Sequence, residues 1–230
     1  MTSLTPLLGL KGSNKTWYPV SVEILDQHLA FHIKENTHYS SEVTKPLRRN
    51  IAYGLQYIEF QERIIKDINM SSVVWTQSIK SFILHGASVI EALLHFTVVS
   101  SGNGAVTHLK SINKFKSNTY SIGKETYIQE TEIYQKMSAP EELPMVFDQL
   151  CKKVENKKLL GATPDLYPEI SKIRKLRNKI HIQGVEHSLD TDWWSFNRNE
   201  YDLMKSVLHG LLTSPLFKGS SDMSKFDYLK

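Results

Sequence analysis

The stretch FILHGASVIEALLHFTVV, Phe82 to Val99, constrains this chain more than any other. It is apolar nearly all round a helix and is just long enough to span a bilayer. It also carries His85, Glu91 and His95. Charge at a bilayer centre is costly, so the segment reads as a helix buried in protein rather than in lipid, and no membrane partner is expected. The full helix is expected from Val73 to Val99, and a helix of this kind needs other helices to cover it.

The chain supplies them. SEVTKPLRRNIAYGLQYIEFQERIIKDI repeats Leu47, Ile51, Leu55, Ile58 and Ile65 at helical spacing. Ser41 or Thr44 offers its cap, and Pro46 is tolerated in a first turn. MVFDQLCKKVENKKLL sets Val146, Leu150 and Val154 on one face. A further helix is expected from Tyr167 to Gln183. NEYDLMKSVLHGLLTSPLF follows, with Asn199 as N-cap and Asp202 three residues on. Asp26 could cap a short helix through His32. Between these, SNTYSIGKETYIQETEIYQK lacks helical period, is rich in Tyr, Thr and Ile, and has a turn glycine. The sum predicts an all-α class, a helical bundle with one inserted β-hairpin near 117–136. Residues 1–40 read as an N-terminal extension, 41–214 as the helical domain and 215–230 as a peripheral tail.

Composition narrows the function. The single cysteine, Cys151, rules out an internal disulfide and a Cys-rich zinc site, and fits a cytoplasmic setting. The first residues lack the pattern of a signal peptide. The net charge of +4 is a mild lean toward polyanions. SGNG is not followed by the Lys-Ser/Thr of a phosphate loop, and His28 and His32 lack the acid of an HExxH metal site. Trp193, Trp194 and Phe196 could stack on bases, but such residues more often dock a loop on a core. No cofactor or metal is expected.

The basic helix ISKIRKLRNKIHIQ, residues 170–183, is the exception to this plainness. Taking about 100° per residue with Ile173 at zero, Ile170, Leu176 and Ile180 define an apolar face. Arg177 falls within that face. His181 and Arg174 border it, Asn178 lies further round, and Lys172, Lys175 and Lys179 point away. An arginine at the edge of a core needs an anionic partner. That partner can be a carboxylate, which makes the stripe structural. It can also be a phosphate, which the guanidinium fork fits. A histidine one turn away can then act as a general base. Spacing alone favours the structural reading, because nine histidines make an Arg followed by a His common by chance.

LRNKIHI, following a helix with SVIEALL, resembles the HEPN superfamily, small α-helical domains many of which are RNA-cleaving toxins or defence effectors. Their motif is an arginine followed by a polar residue, with four to six residues before a histidine. Arg174 has the right distance to His181 but is followed by Lys175. Arg177 is followed by Asn178 but is separated from His181 by only three residues. The resemblance implies Arg177, Asn178 and His181 as catalytic residues, Arg174 as an auxiliary phosphate ligand, and Glu91 as the acid that orients an arginine. It implies a metal-independent endoribonuclease leaving a 2′,3′-cyclic phosphate and a 5′-hydroxyl. It also implies RNA as substrate, a homodimer, and an antitoxin or other regulatory partner protein. Gln183 stands where paired toxins often carry a tyrosine, so control by tyrosine modification is not expected. The other reading is a non-catalytic helical module that dimerises or binds a partner or RNA. In the same way, Glu91 could instead pair locally with His95.

Overall fold

The structure, a computed structural model, describes residues 9–10, 19–161, 166–179, 191–220 and 222–230. They fall into two units, one made of the chain up to Gly102 and from Val146 onward, the other of Asn103–Met145.

The first unit is helical. A two-residue strand β1 (Gly9–Leu10) precedes α1 (Val22–Leu29) and α2 (Ser41–Asp67), and β1 pairs antiparallel with β2 (Ile68–Asn69). The long apolar segment lies in α3 (Ser72–Ser100), followed after the second unit by α4 (Phe147–Asn156), α5 (Leu166–Asn178), the single turn α6 (Asp192–Ser195) and α7 (Arg198–Leu212). Two 3₁₀ turns, Pro215–Phe217 and Ser224–Leu229, end the chain. α3 is the hub, with α2, α4, α5, α6 and α7 packed on it. By length and composition α3 could cross a membrane, yet 67% of its most apolar window is buried inside this unit. The periodicity of α2 survives in the packing, since Ile51, Leu55, Ile58 and Ile65 are all buried. Gly86 of α3 lets α7 come close, because a Cβ there would meet the Met204 sulfur at 2.5 Å.

Some boundaries differ from expectation for local reasons. α1 starts earlier than Asp26 predicts, because Ser21 is its cap. Asp26 instead pairs with Arg48 at 3.2 Å. α7 is capped by Asn197, whose side chain accepts from the Asn199 N–H at 2.8 Å, so Asn199 is already inside the helix. Asp202 pairs with Arg198 one turn back rather than capping. The tail expected to be peripheral buries Phe217, Phe226 and Leu229. His28 holds it: Nε2–H donates to the Leu212 carbonyl at 2.9 Å, which leaves Nδ1 to accept from the Ser220 hydroxyl at 2.8 Å. The ring stacks on Phe217 with centroids 4.6 Å apart. The expected continuation of α5 through 180–183 lies outside the described residues.

The second unit is an antiparallel ribbon. β3 (Ala105–Lys116) pairs with β6 (Glu130–Leu143), from Ala105 opposite Leu143 to Lys116 opposite Glu130. At the tip β4 (Tyr120–Ile122) pairs with β5 (Glu125–Tyr127) across a turn in which Gly123 has φ +67°. The all-α expectation is thereby corrected. Among the described residues the structure is mixed, with strands β1–β6 beside helices α1–α7. The cause is the length of the ribbon, which extends well beyond the hairpin expected at 117–136. Its outer halves gave no clear signal because neither face is buried, so no alternation of apolar and polar residues marks them.

Candidate functional site

The arginine stripe of α5 faces acids on two other helices. Glu91 sits in the middle of α3, where it is the one acid among buried neighbours such as Ile90, Leu93 and Leu94. Arg177 reaches it with Nη2 3.6 Å from Oε2. That is an ion pair slightly too long for a good hydrogen bond. The expected choice between a cross-helix pair and a local one is resolved toward Arg177, since His95 Nδ1 faces the Tyr39 hydroxyl at 3.1 Å.

Arg174 is held more firmly. Its Nη1 lies 3.1 Å from Asp148 in the first turn of α4. Asp148 also accepts from Lys152 at 2.7 Å. The Lys152 hydrogen bond, and after it the Arg174 charge, hold the Asp148 carboxyl below its ordinary range against some burial. Gln149 fixes the start of α4 by accepting from the Val146 N–H at 3.1 Å, so the position of Asp148 is set by local structure. The Arg174 Nε is buried with no hydrogen-bond partner among the described residues, a costly state that an added acceptor would relieve.

The two arginines thus exchange the places that the helical wheel assigns. Arg177 was expected within the apolar face, yet its side chain is 40% exposed, while that of Arg174 is 19% exposed. The backbone of α5 follows the wheel, with Ile170 and Ile173 buried. The long side chains do not, because each turns toward its own carboxylate. Asn178 is exposed at the last residue of α5. His181, the expected general base, lies outside the described residues.

Asp148 and Lys152 were missed from the sequence. Their spacing of four on α4 marks a helix-surface pair, and nothing in it points across to α5. Cys151 lies on α4 near the same charges. Burial pushes its thiol up to about 11, which silences it as a nucleophile near neutral pH. Among the described residues no three His, Cys, Asp or Glu side chains gather as a metal site requires. The other aromatic candidates divide. Phe196 is buried with Lys80 5.3 Å over its ring, while Trp193 and Trp194 are exposed beside it. Asp192, just before them, is tied to Lys80 at 2.9 Å and to Gln77 at 2.8 Å.

Chemically, the arrangement offers one anchored and one loosely held guanidinium on neighbouring turns of a single helix. Such a pair suits a divided anion such as a phosphodiester better than a small neutral ligand. No family model, no curated protein and no solved structure matches the chain.

Proposed function

We propose that this chain is a metal-independent endoribonuclease. The observation that carries the reading is the pairing of Arg177 with Glu91 at 3.6 Å, which presents a half-exposed, oriented guanidinium. In the proposed reaction Arg177 stabilises the negative charge that develops on the scissile phosphate. Arg174, anchored by Asp148, lends a second positive charge. His181 takes the proton of the adjacent 2′-hydroxyl, the 2′-oxygen bonds to phosphorus, and the P–O5′ bond breaks. The leaving 5′-oxygen takes a proton from water, giving a 5′-hydroxyl and a 2′,3′-cyclic phosphate, and the hydroxide so formed takes the proton from His181. Asn178 is assigned a polar contact to the substrate. The resemblance to HEPN toxins and antiphage effectors supports this reading, and with it action in the cytoplasm as a homodimer under a regulatory partner protein.

A second reading has its own observation. Both arginines already have carboxylate partners, Glu91 and Asp148, as a purely structural stripe would require. In that case the helical unit is a non-catalytic module for dimerisation or for binding a partner or RNA.

Incubation with RNA in EDTA separates the two. Wild type is expected to cleave, Arg177→Ala and His181→Ala to lose at least about 100-fold in rate while staying folded, and the products to end in cyclic phosphate. Undiminished cleavage by His181→Ala would remove it as the base. Products with a 3′-hydroxyl would rule out attack by the 2′-oxygen.

A further inference from the structure

The ribbon of β3 and β6 has two open edges among the described residues, and they are unlike. An open edge presents unpaired backbone donors and acceptors and invites another strand. β3 is guarded in the usual ways. It is bulged between Ser111 and Asn113, where Ile112 has no partner on β6. Its charges, Lys110, Lys114 and Lys116, are all of one sign. Two copies of β3 laid antiparallel about Asn113 would set Lys110 of one against Lys116 of the other.

β6 is unguarded from Glu130 to Lys136. Every residue there is paired in turn with β3, with no extra residue on the β6 side, so the stretch is a regular strand. All but Glu132 are exposed. Pro140 and the irregularity opposite Thr107 and Leu109 come only beyond it. The sequence ETEIYQK is complementary to itself when reversed. With a two-fold axis at Ile133, Glu130 of each copy lies opposite Lys136 of the other. Glu132 lies opposite Tyr134, Thr131 opposite Gln135, and Ile133 opposite Ile133.

We propose that the β6 edge is a self-association surface, on which a second copy of this chain pairs antiparallel through Glu130–Lys136. Opposite charges directly across two strands favour pairing, and like charges oppose it. The symmetric arrangement closes on itself as a dimer, with no edge of β6 left to propagate. It also gives the ribbon what it lacks. A two-stranded ribbon is marginal alone, whereas the order β3–β6–β6–β3 makes a four-stranded sheet. Glutamates and lysines balance over residues 103–145, which suits a protein strand and not a polyanion. The inference stands apart from the ribonuclease reading.

Sedimentation of the full chain over a range of concentrations tests it. Wild type is expected to dimerise. Glu130→Lys alone and Lys136→Glu alone each put like charges opposite one another twice, and each should weaken the dimer about tenfold or more. An equimolar mixture of the two variants should restore it, because each then supplies what the other lacks. Ile133→Cys at the axis should oxidise to a covalent dimer, while Tyr134→Cys, opposite Glu132, should not. A wild-type monomer at every concentration overturns the proposal. So does a dimer indifferent to both charge reversals, or a mixture no tighter than its components.

Discussion

The helical unit and the ribbon are built from one chain by opposite economies. In the helical unit α3 is covered on most sides, and each of its own two charged residues has a partner, Glu91 in Arg177 and Lys80 in Asp192. In the ribbon no residue from 103 to 144 is buried, and Val106, Ile112, Phe115 and Ile122 stand more than half exposed. A unit with its own core folds by its own burial of apolar surface. A unit without one depends on its attachment or on an added strand. Four measurements test this difference.

The largest effect belongs to the core of α3. Phe82 is fully buried and lies 5.1 Å from the Tyr201 ring. Phe82→Ala should cost about 3–5 kcal/mol in denaturant melts. Phe115→Ala on the ribbon removes a ring of similar size and should cost less than about 0.5 kcal/mol. Comparable losses at the two positions would end the distinction between a cored and a coreless unit.

Next comes acid. Burial lowers His28 to about 4 from an ordinary 6.5. The unfolded chain therefore takes up the proton first as pH falls. The His28 contribution is complete above pH 6.5 and is lost progressively down to about pH 4, roughly 3 kcal/mol in all. His32, lowered to about 4 by the same cause, adds to the loss. The helical unit should melt earlier at pH 5 than at pH 7.5, with the tail of Phe217 and Phe226 released with it. His28→Gln should remove only the His28 share of that dependence, leaving the share of His32. A melting temperature unchanged between these pH values would mean that the clasp is not held by a neutral imidazole.

Much of the helical unit is legible from the sequence, because its helices bury one face and the pattern of that face repeats. Leu55, Ile58 and Ile65 marked α2, and the span expected from Val73 to Val99 matches α3 to within a residue at each end. The ribbon was legible only at its tip, where Gly123 and neighbouring tyrosines signal a turn. With both faces exposed, β3 and β6 had no reason to alternate. The site was half legible. An acid in an apolar helix needs a partner, but the sequence left His95 as a local choice, and only the family resemblance pointed from Glu91 to the α5 arginines. Asp148 was invisible because it is an ordinary first-turn acid, and only the packing of α4 beside α5 brings it to Arg174. Which arginine lies deeper was misjudged, since helical angle fixes where a side chain starts and not where its flexible end goes.

A smaller effect sharpens the comparison at a single atom. Gly86→Ala pushes a methyl group toward Met204, a crowding worth about 1–3 kcal/mol in a tight core. Alanine recovers up to about 1 kcal/mol by its better helix propensity, and the methionine can shift aside. The net loss should be about 1 kcal/mol by chemical denaturation. A neutral or stabilising result would mean that α3 and α7 meet less closely than the Met204 contact indicates.

The smallest effect is the most decisive for the architecture. Ala105 pairs with Leu143, so the chain leaves for the ribbon and returns from it at neighbouring points. Residues 103–145 can then be replaced by a short Gly-Ser link without stretching the chain between α3 and α4. If the helical unit carries its own stability, the midpoint of its melt should move by less than about 1 kcal/mol, a shorter connection being if anything easier to close. Self-association through β6, as proposed, should vanish in the same protein, while the proposed cleavage of RNA should persist if it needs only the helical unit. Loss of folding on excision would break the comparison outright, because it would show that a ribbon with no core of its own still stabilises the unit that has one.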